Sequence, residues 1–293
     1  MAITNFRPTI WSASLLTNLR SQLVYGGLCN RNYEGDIANA GDKVNITSFA
    51  DPSVRAYTKN TDITWDLLTD STQQLVINQS DYFAFTVDDI DKRQALGGFI
   101  EETTLGASYN LASTADTYVS GLMVAGVSAS NPDNKLAHTS LSAATDSADA
   151  YALLVELRTA LTRSNTPVPG RWVVVPPEFY ALLLQDDRFI RADAAGTTAG
   201  LRSGQVGRAA GFDVIESNVV PTSDSDGTVT VATTGYDIVA GHSMATTFAQ
   251  QISKVKAVDL ENQFGEGVKG LHLYGAKVVR PSLLATVNVT ISA

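Results

Sequence analysis

A chain of 293 residues, 44% of them hydrophobic, can bury one large core or two smaller ones. Its 30 acidic and 21 basic residues give a formal net charge of -9, which excludes a protein built to wrap nucleic acid tightly, because neutralising phosphates takes clustered Lys and Arg. The single cysteine, Cys29, excludes an intrachain disulfide, the start MAITNFRPTIW lacks the basic and apolar regions of a secretory signal, and no window reaches the ~18 apolar residues of a membrane span.

These features set the expectation of a soluble protein made in a cytoplasm, with Cys29 a small buried hydrophobe. Thr9 to Val24 is predicted as a helix. Ile10, Trp11, Leu15, Leu19 and Leu23 recur near the 3.6-residue period, Pro8 suits a helix start, and Gly26 and Gly27 are expected to end it. The polar stretch NRNYEGDIANAGD reads as turns. KVNITSF (43–49) and LVINQSDYFAFTV (75–87) are rich in β-branched and aromatic residues and are predicted strands. The connection between them, about 25 residues with Arg55, Tyr57, Lys59 and Trp65, is long for a compact hairpin, and such loops are usually functional.

Asp88 to Ala125 is predicted as one long helix with a rough apolar stripe, of which roughly 34 residues would span about 50 Å. Gly97, Gly98, Gly106 and Gly121 interrupt it, which suggests bending or close packing. Its start, FTVDDIDKRQA, clusters Asp88, Asp89 and Asp91. Acids in a first turn face the positive end of the helix dipole, Lys92 and Arg93 compete for the same carboxylates, and none of His138, His242 and His272 lies nearby. The cluster is therefore read as a helix start rather than a metal site. Residues 126–146 read as a loop, and SADAYALLVELRTALTR (147–163) as an amphipathic helix capped by Asp146 or Ser147. Pro167, Pro169 and Gly170 break it. RWVVV is a buried strand, and PPEFYALLLQ a helix opening on proline. Phe212–Ile215, Val229–Val231, Tyr236–Ala240 and the alternating C-terminus LHLYGAKVVRPSLLATVNVTIS are predicted strands. Helices and strands mix without a regular βαβ repeat, which indicates an α+β fold.

One motif suggests an enzyme. YDIVAGHSMA places a strand before G-H-S-M-A, close to a nucleophile elbow, and Asp259 and His272 follow in the Ser, Asp, His order of that fold. Against it, the second glycine is Ala245, ATTFAQQI is a poor helix opening, and only 50 residues follow Ser243. The structural reading is a turn into another strand with His242 solvated. SGQVGRAAG lacks G-x-G, a preceding strand and a P-loop lysine. Glu261 and Glu266 beside Asp259 read as a solvated acidic run.

Several blocks together resemble one family. RWVVVPPEFYALLLQDDRFIRAD, LRSGQVGRAAGFDVIESNVVP and YDIVAGHSMATTFAQQISKVKAVD are similar in order and spacing to the major capsid proteins of tailed bacteriophages, with the Hong Kong 97-like fold. TIWSASLLTNLRSQLVYGGLCNRNYEGDI, GDKVNITSF and FTVDDIDKRQA resemble the arm, extended loop and spine helix of that family. The resemblance implies an N-terminal arm (1–35), an extended β-loop (36–87), a peripheral domain with the spine helix (88–140 and 255–293) and an axial domain (141–254). It also implies a structural subunit without catalysis, cofactor or metal, which forms hexamers and pentamers of an icosahedral shell around double-stranded DNA. The DNA is held without sequence specificity, scaffolding and portal proteins are further partners, no membrane is involved, and assembly takes place in the host bacterial cytoplasm to give a virion. The arm begins almost at once, which favours a separate scaffolding protein and an uncleaved coat. Expected subunit-contact residues are Trp11, Arg55, Tyr57, Lys59 and Trp65, and the expected hinge of the spine helix is Gly97–Gly98. A serine hydrolase using Ser243, Asp259 and His272, and an encapsulin-like compartment shell, are the alternatives.

Overall fold

The computed structural model describes residues 24–32, 43–49, 52–57, 59–60, 62, 65–67, 70–88, 99–127, 134–142, 147–186, 207–223, 235–259 and 265–292. In chain order these form α1 (Tyr25–Leu28), β1 (Lys43–Phe49), β2 (Asp70–Val76), β3 (Gln79–Asp88), α2 (Phe99–Gly126), β4 (Lys135–Ser142), α3 (Ser147–Arg163), β5 (Arg171–Val175) and α4 (Pro177–Gln185). There follow β6 (Arg208–Ala209), β7 (Phe212–Glu216), β8 (Thr222–Ser223), β9 (Gly235–His242), β10 (Thr246–Asp259), β11 (Gly265–Val278), a 3-10 turn (Pro281–Leu283) and β12 (Leu284–Ser292).

Two larger sheets and one hairpin organise the molecule. The order β10-β11-β3 makes a three-stranded antiparallel sheet, β4-β12-β9-β5-β7-β6 with β8 beside β9 makes a seven-stranded mixed sheet, and β1 pairs with β2 alone. The long helix α2 serves both larger sheets. Its buried Leu111, Ala112, Ala115, Val119 and Met123 pack with Phe248, Tyr274 and Ala276 of the three-stranded sheet and with Trp172, Val174 and Val239 of the seven-stranded one. On the opposite face of β5, Val173 and Val175 join Leu154 and Leu157 of α3 and Phe179 and Leu183 of α4. A strand buried on both faces reads as a continuous apolar run, which is why RWVVV shows no alternation.

Two buried polar residues tie elements together. Arg171 opens β5 and is 1% exposed. Its guanidinium donates to the carbonyls of Pro167 (2.9 Å) and Thr166 (2.6 Å) and to Thr162 Oγ1 (3.0 Å), supplying donors and positive charge where α3 ends. Asp116 of α2, 3% exposed, accepts the backbone N–H of Val24 (3.0 Å) and of Gly26 (3.4 Å). Desolvation holds its carboxyl above the ordinary range, opposed by those hydrogen bonds and by Arg31.

Several expectations hold. KVNITSF, SADAYALLVELRTALTR, RWVVV and the proline-opened helix lie where the sequence puts them. Between β6 and β7, Ala210 (φ 49°) and Gly211 (φ 86°) form the two-residue turn of a hairpin. Cys29 is buried, and its thiol donates to the Tyr25 carbonyl (3.2 Å).

Four readings are corrected. Gly26 and Gly27 do not end a helix but lie inside α1, whose N-terminal N–H groups Asp116 receives. The strand expected from Leu75 to Val87 is two strands in different sheets, parted at Ile77–Asn78. Asp88 does not start the long helix: it is the last residue of β3, paired with Gly265, because the alternation of QSDYFAFTVD continues through it. Residues 126–146 are not all loop, since Lys135–Ser142 runs parallel to β12. Trp11, residues 9–23 of the Thr9–Val24 helix, Asp89, Asp91, Gly97–Gly98, Asp146 and Val229–Val231 lie outside the described residues.

Candidate contact surface

The hairpin β1–β2 has an anchored base and an exposed loop. Seven register pairs run from Lys43↔Val76 to Phe49↔Asp70, so the ladder is about 24 Å long. At its base Ile46, Leu75 and the adjoining Ile77 pack with Ala249 of β10 and Leu273 of β11. The chain crosses β11 closely at Gly275, where an added Cβ would lie 2.4 Å from the Val76 carbonyl oxygen. Glycine is the residue this crossing admits.

Beyond the ladder the side chains face outward. Val54 is 100% exposed, Tyr57 74%, Trp65 87% and Leu67 95%. Lone exposed apolar residues are ordinary, but four on one loop are more than such scatter, and exposed apolar surface of this kind is what interaction sites use. A polar clasp holds the two arms of the loop: Arg55 meets Asp66 Oδ1 at 2.6 Å, the Ser53 N–H donates to Asp66 Oδ2 at 3.0 Å and the Ser53 hydroxyl donates to the same oxygen. Those Ser53 hydrogen bonds hold the Asp66 carboxyl below the ordinary range. Lys59 is exposed next to Asn60, which adopts φ 68°. The structure thus gathers Arg55, Tyr57, Lys59 and Trp65 on one loop, as their sequence proximity indicates.

The residues of the hydrolase reading do not assemble. Ser243 is exposed in the turn between β9 and β10, and the turn leads directly into a strand. Thr246 pairs with Val278, and His272 is six residues further along β11, which at ~3.3 Å per residue is about 20 Å away. Asp259 pairs with Glu266, a similar distance beyond His272. His272 is 1% exposed, and burial lowers its imidazole to about 4, with Asp81 acting in the opposite direction. His242, expected to be solvated, is 9% exposed. Its Nδ1 accepts the Met244 N–H (3.2 Å), and its Nε2 faces the Pro169 carbonyl at 3.1 Å as donor. The imidazole fastens the β9–β10 turn to the loop before β5 and is buried between them.

Sequence reasoning missed a second feature. Tyr82, Ala84, Lys256, Lys269, Gly270 and Leu271 line a cleft of about 400 Å³ on the three-stranded sheet. The alternation in SKVKAV signals two lysines on one strand face, but the strand opposite is not legible locally. Among the described residues no three His, Cys, Asp or Glu side chains converge as metal ligands, and no helix is long and apolar enough to cross a membrane.

A family model described as phage capsid protein matches residues 53–287. A solved structure from Mycobacterium phage Che8 is 32% identical, with a TM-score of 0.72 and 91% of each chain covered. The capsid structure of the cyanophage P-SCSP1u is 15% identical, with a TM-score of 0.68 over 87% of this chain and 85% of that one. A virus-like particle from Pyrococcus furiosus is 11% identical, with a TM-score of 0.56 over 95% of this chain and 98% of that one. The last two likenesses concern the fold alone. No curated protein matches the chain.

Proposed function

The chain belongs to the phage capsid protein family, and we propose that this structural, shell-forming protein is the major coat subunit of a tailed phage with the Hong Kong 97-like architecture. The observation that carries the reading is the family match over residues 53–287, together with the likeness to the Che8 structure across 91% of both chains. The β1–β2 hairpin supports it physically, since its loop exposes Val54, Tyr57, Trp65 and Leu67, which the described subunit leaves uncovered.

In this reading residues 1–35 are an arm, 36–87 the extended loop, 88–140 with 255–293 the peripheral domain, and 141–254 the axial domain. The projecting part of the loop is the β1–β2 hairpin, whereas β3 joins β10 and β11 in the peripheral sheet. Trp11, Arg55, Tyr57, Lys59 and Trp65 meet neighbouring subunits, and Gly97–Gly98 is the hinge of the spine helix. Copies form hexamers and pentamers of an icosahedral shell around double-stranded DNA, assembled in the host cytoplasm with scaffolding and portal proteins. The protein's role is structural, and its chemistry is self-association rather than turnover.

Electron microscopy of purified particles tests this. DNA-filled or tailed shells are the expected result. Small shells holding protein cargo would replace the phage reading with a compartment, and a persistent monomer would remove both.

A further inference from the structure

Asp81 of β3 and His272 of β11 are directly opposed in register, so their Cβ atoms lie about 5 Å apart. Both belong to the sheet face that meets α2, because alternation from Tyr274 and Ala276, which pack with α2, leads through His272. The Asp81 carboxylate holds a partner: the Tyr274 hydroxyl donates to its Oδ2 at 2.7 Å. His272 is 1% exposed, and neither ring nitrogen has a partner among the described residues. Its ring lies against that of Tyr274, 5.0 Å between centroids and tilted by 31°. One buried carboxylate thus stands between a phenol, whose hydrogen bond it accepts, and an imidazole that becomes a cation on taking up a proton.

Tyr274 is also where the sheet touches α2 and the hairpin base. Its ring meets Tyr118 of α2 edge-on, 5.6 Å between centroids at 72°, and the Tyr118 hydroxyl donates to Asn78 Oδ1 at 3.5 Å. Asn78 lies in the break between β2 and β3, and Gly275, next to Tyr274, is where Val76 crosses β11. A displaced Tyr274 moves against the helix and against the hairpin's attachment together. The other ionisable groups around this seam are committed elsewhere. On α2, Asp116 accepts the backbone N–H groups at the start of α1. The α1 segment brings Tyr25 and Cys29, both raised by burial, and Arg31, whose guanidinium lies over the Phe248 ring at 5.4 Å. From β10, Phe248 and Gln250 share this face, and neither titrates.

We propose that His272 and Asp81 are an acid-triggered switch at the seam between α2 and the three-stranded sheet. A protonated His272 draws Asp81 away from the Tyr274 hydroxyl, and the released Tyr274 loosens both α2 and the hairpin base. A buried charge without a partner is far costlier than a paired one, so the proton and the shift of Asp81 come together. Two partners for one carboxylate make two discrete arrangements, and the proton selects between them. The switched arrangement binds the proton more tightly, so acid favours it and rising pH reverses it. Burial lowers the His272 imidazole to about 4, with Asp81 opposing, so the change falls between that value and about pH 6.5, where a solvated histidine titrates.

Hydrogen exchange of the purified, unaltered protein tests this, read by mass spectrometry from pH 7 to pH 4 with labelling times matched to the intrinsic rate at each pH. Protection is expected to fall in one step within that window, by about tenfold or more across 70–88 and 111–126, while 171–175 stays protected. In His272→Gln, which keeps a polar side chain but cannot titrate, the step should vanish. In Asp81→Asn, which removes the anion that favours the imidazolium, the step should move to lower pH by about one unit or more. A step that persists in His272→Gln, or one that Asp81→Asn leaves in place, would overturn the switch. So would the absence of any step, or an equal loss of protection across 171–175, which marks general acid unfolding. Should His272→Gln fail to fold at pH 7, the place of the step in the unaltered protein and its shift in Asp81→Asn decide the matter.

Discussion

His272 carries the clearest acid sensitivity in the described chain. It lies beneath α2, with its ring 5.0 Å from that of Tyr274 and Asp81 opposite in register, and among the described residues neither ring nitrogen has a hydrogen-bond partner. Its folded pKa is about 4, against ~6.5 for an unfolded histidine. The unfolded chain therefore takes up a proton that the folded chain refuses. Stability falls as pH drops from about 6.5 to about 4, by roughly 3 kcal/mol, and this loss stops below that window. In His272→Leu this part of the acid sensitivity should be missing from urea unfolding of the purified subunit at pH 7 and pH 4.5. Equal pH dependence in parent and variant would contradict the assignment. At the neighbouring turn, Ser243→Ala should leave particle yield unchanged. A serine-directed fluorophosphonate should label parent and variant equally poorly, because Ser243 and His272 lie about 20 Å apart along the sheet. Labelling confined to the parent would restore the hydrolase.

The β1–β2 hairpin depends on a backbone crossing. In Gly275→Ala the new Cβ would lie 2.4 Å from the Val76 oxygen and 2.9 Å from the Ile77 Cα, both backbone atoms that cannot swing aside. The variant should loosen the hairpin base while sparing the seven-stranded sheet. Hydrogen exchange should accelerate across 43–49 and 70–76 but not across 171–175, and uniform change or none would count against the crossing. Local signals made some elements legible. SADAYALLVELRTALTR carries its own apolar period, and RWVVV followed by two prolines marks both a strand end and a helix start. Other elements were hidden for physical reasons. LVINQSDYFAFTV has no Gly or Pro at Ile77–Asn78, so the change of sheet leaves no local mark. Around β4 the register with β12 slips between Val287 and Val289. The irregularity puts Leu136 and Leu141 in the same core despite their odd spacing, so the alternation that betrays a strand is broken. Asp88 looks the same at a strand end as at a helix start. The loop residues Arg55, Tyr57, Lys59 and Trp65 were readable because exposure follows from composition. The Lys256–Lys269 pair was not, because it depends on register across a hairpin.

At the scale of the molecule, α2 links the two larger sheets into one body from which the hairpin extends. The acidic balance of the chain bears on what such a body can hold. A subunit of net charge -9 should bind duplex DNA no more tightly than about 10⁻⁵ M at physiological salt, as read by fluorescence anisotropy, and tight binding would contradict the proposal that the shell encloses DNA it must let slide. The most direct measurement of the central claim is the mass of the native assembly. A subunit of 31.1 kDa that forms a closed shell should give particles of many copies, narrow in mass and at an integral multiple of the chain. A monomer or dimer that persists at all concentrations, with or without a scaffolding protein, would contradict it.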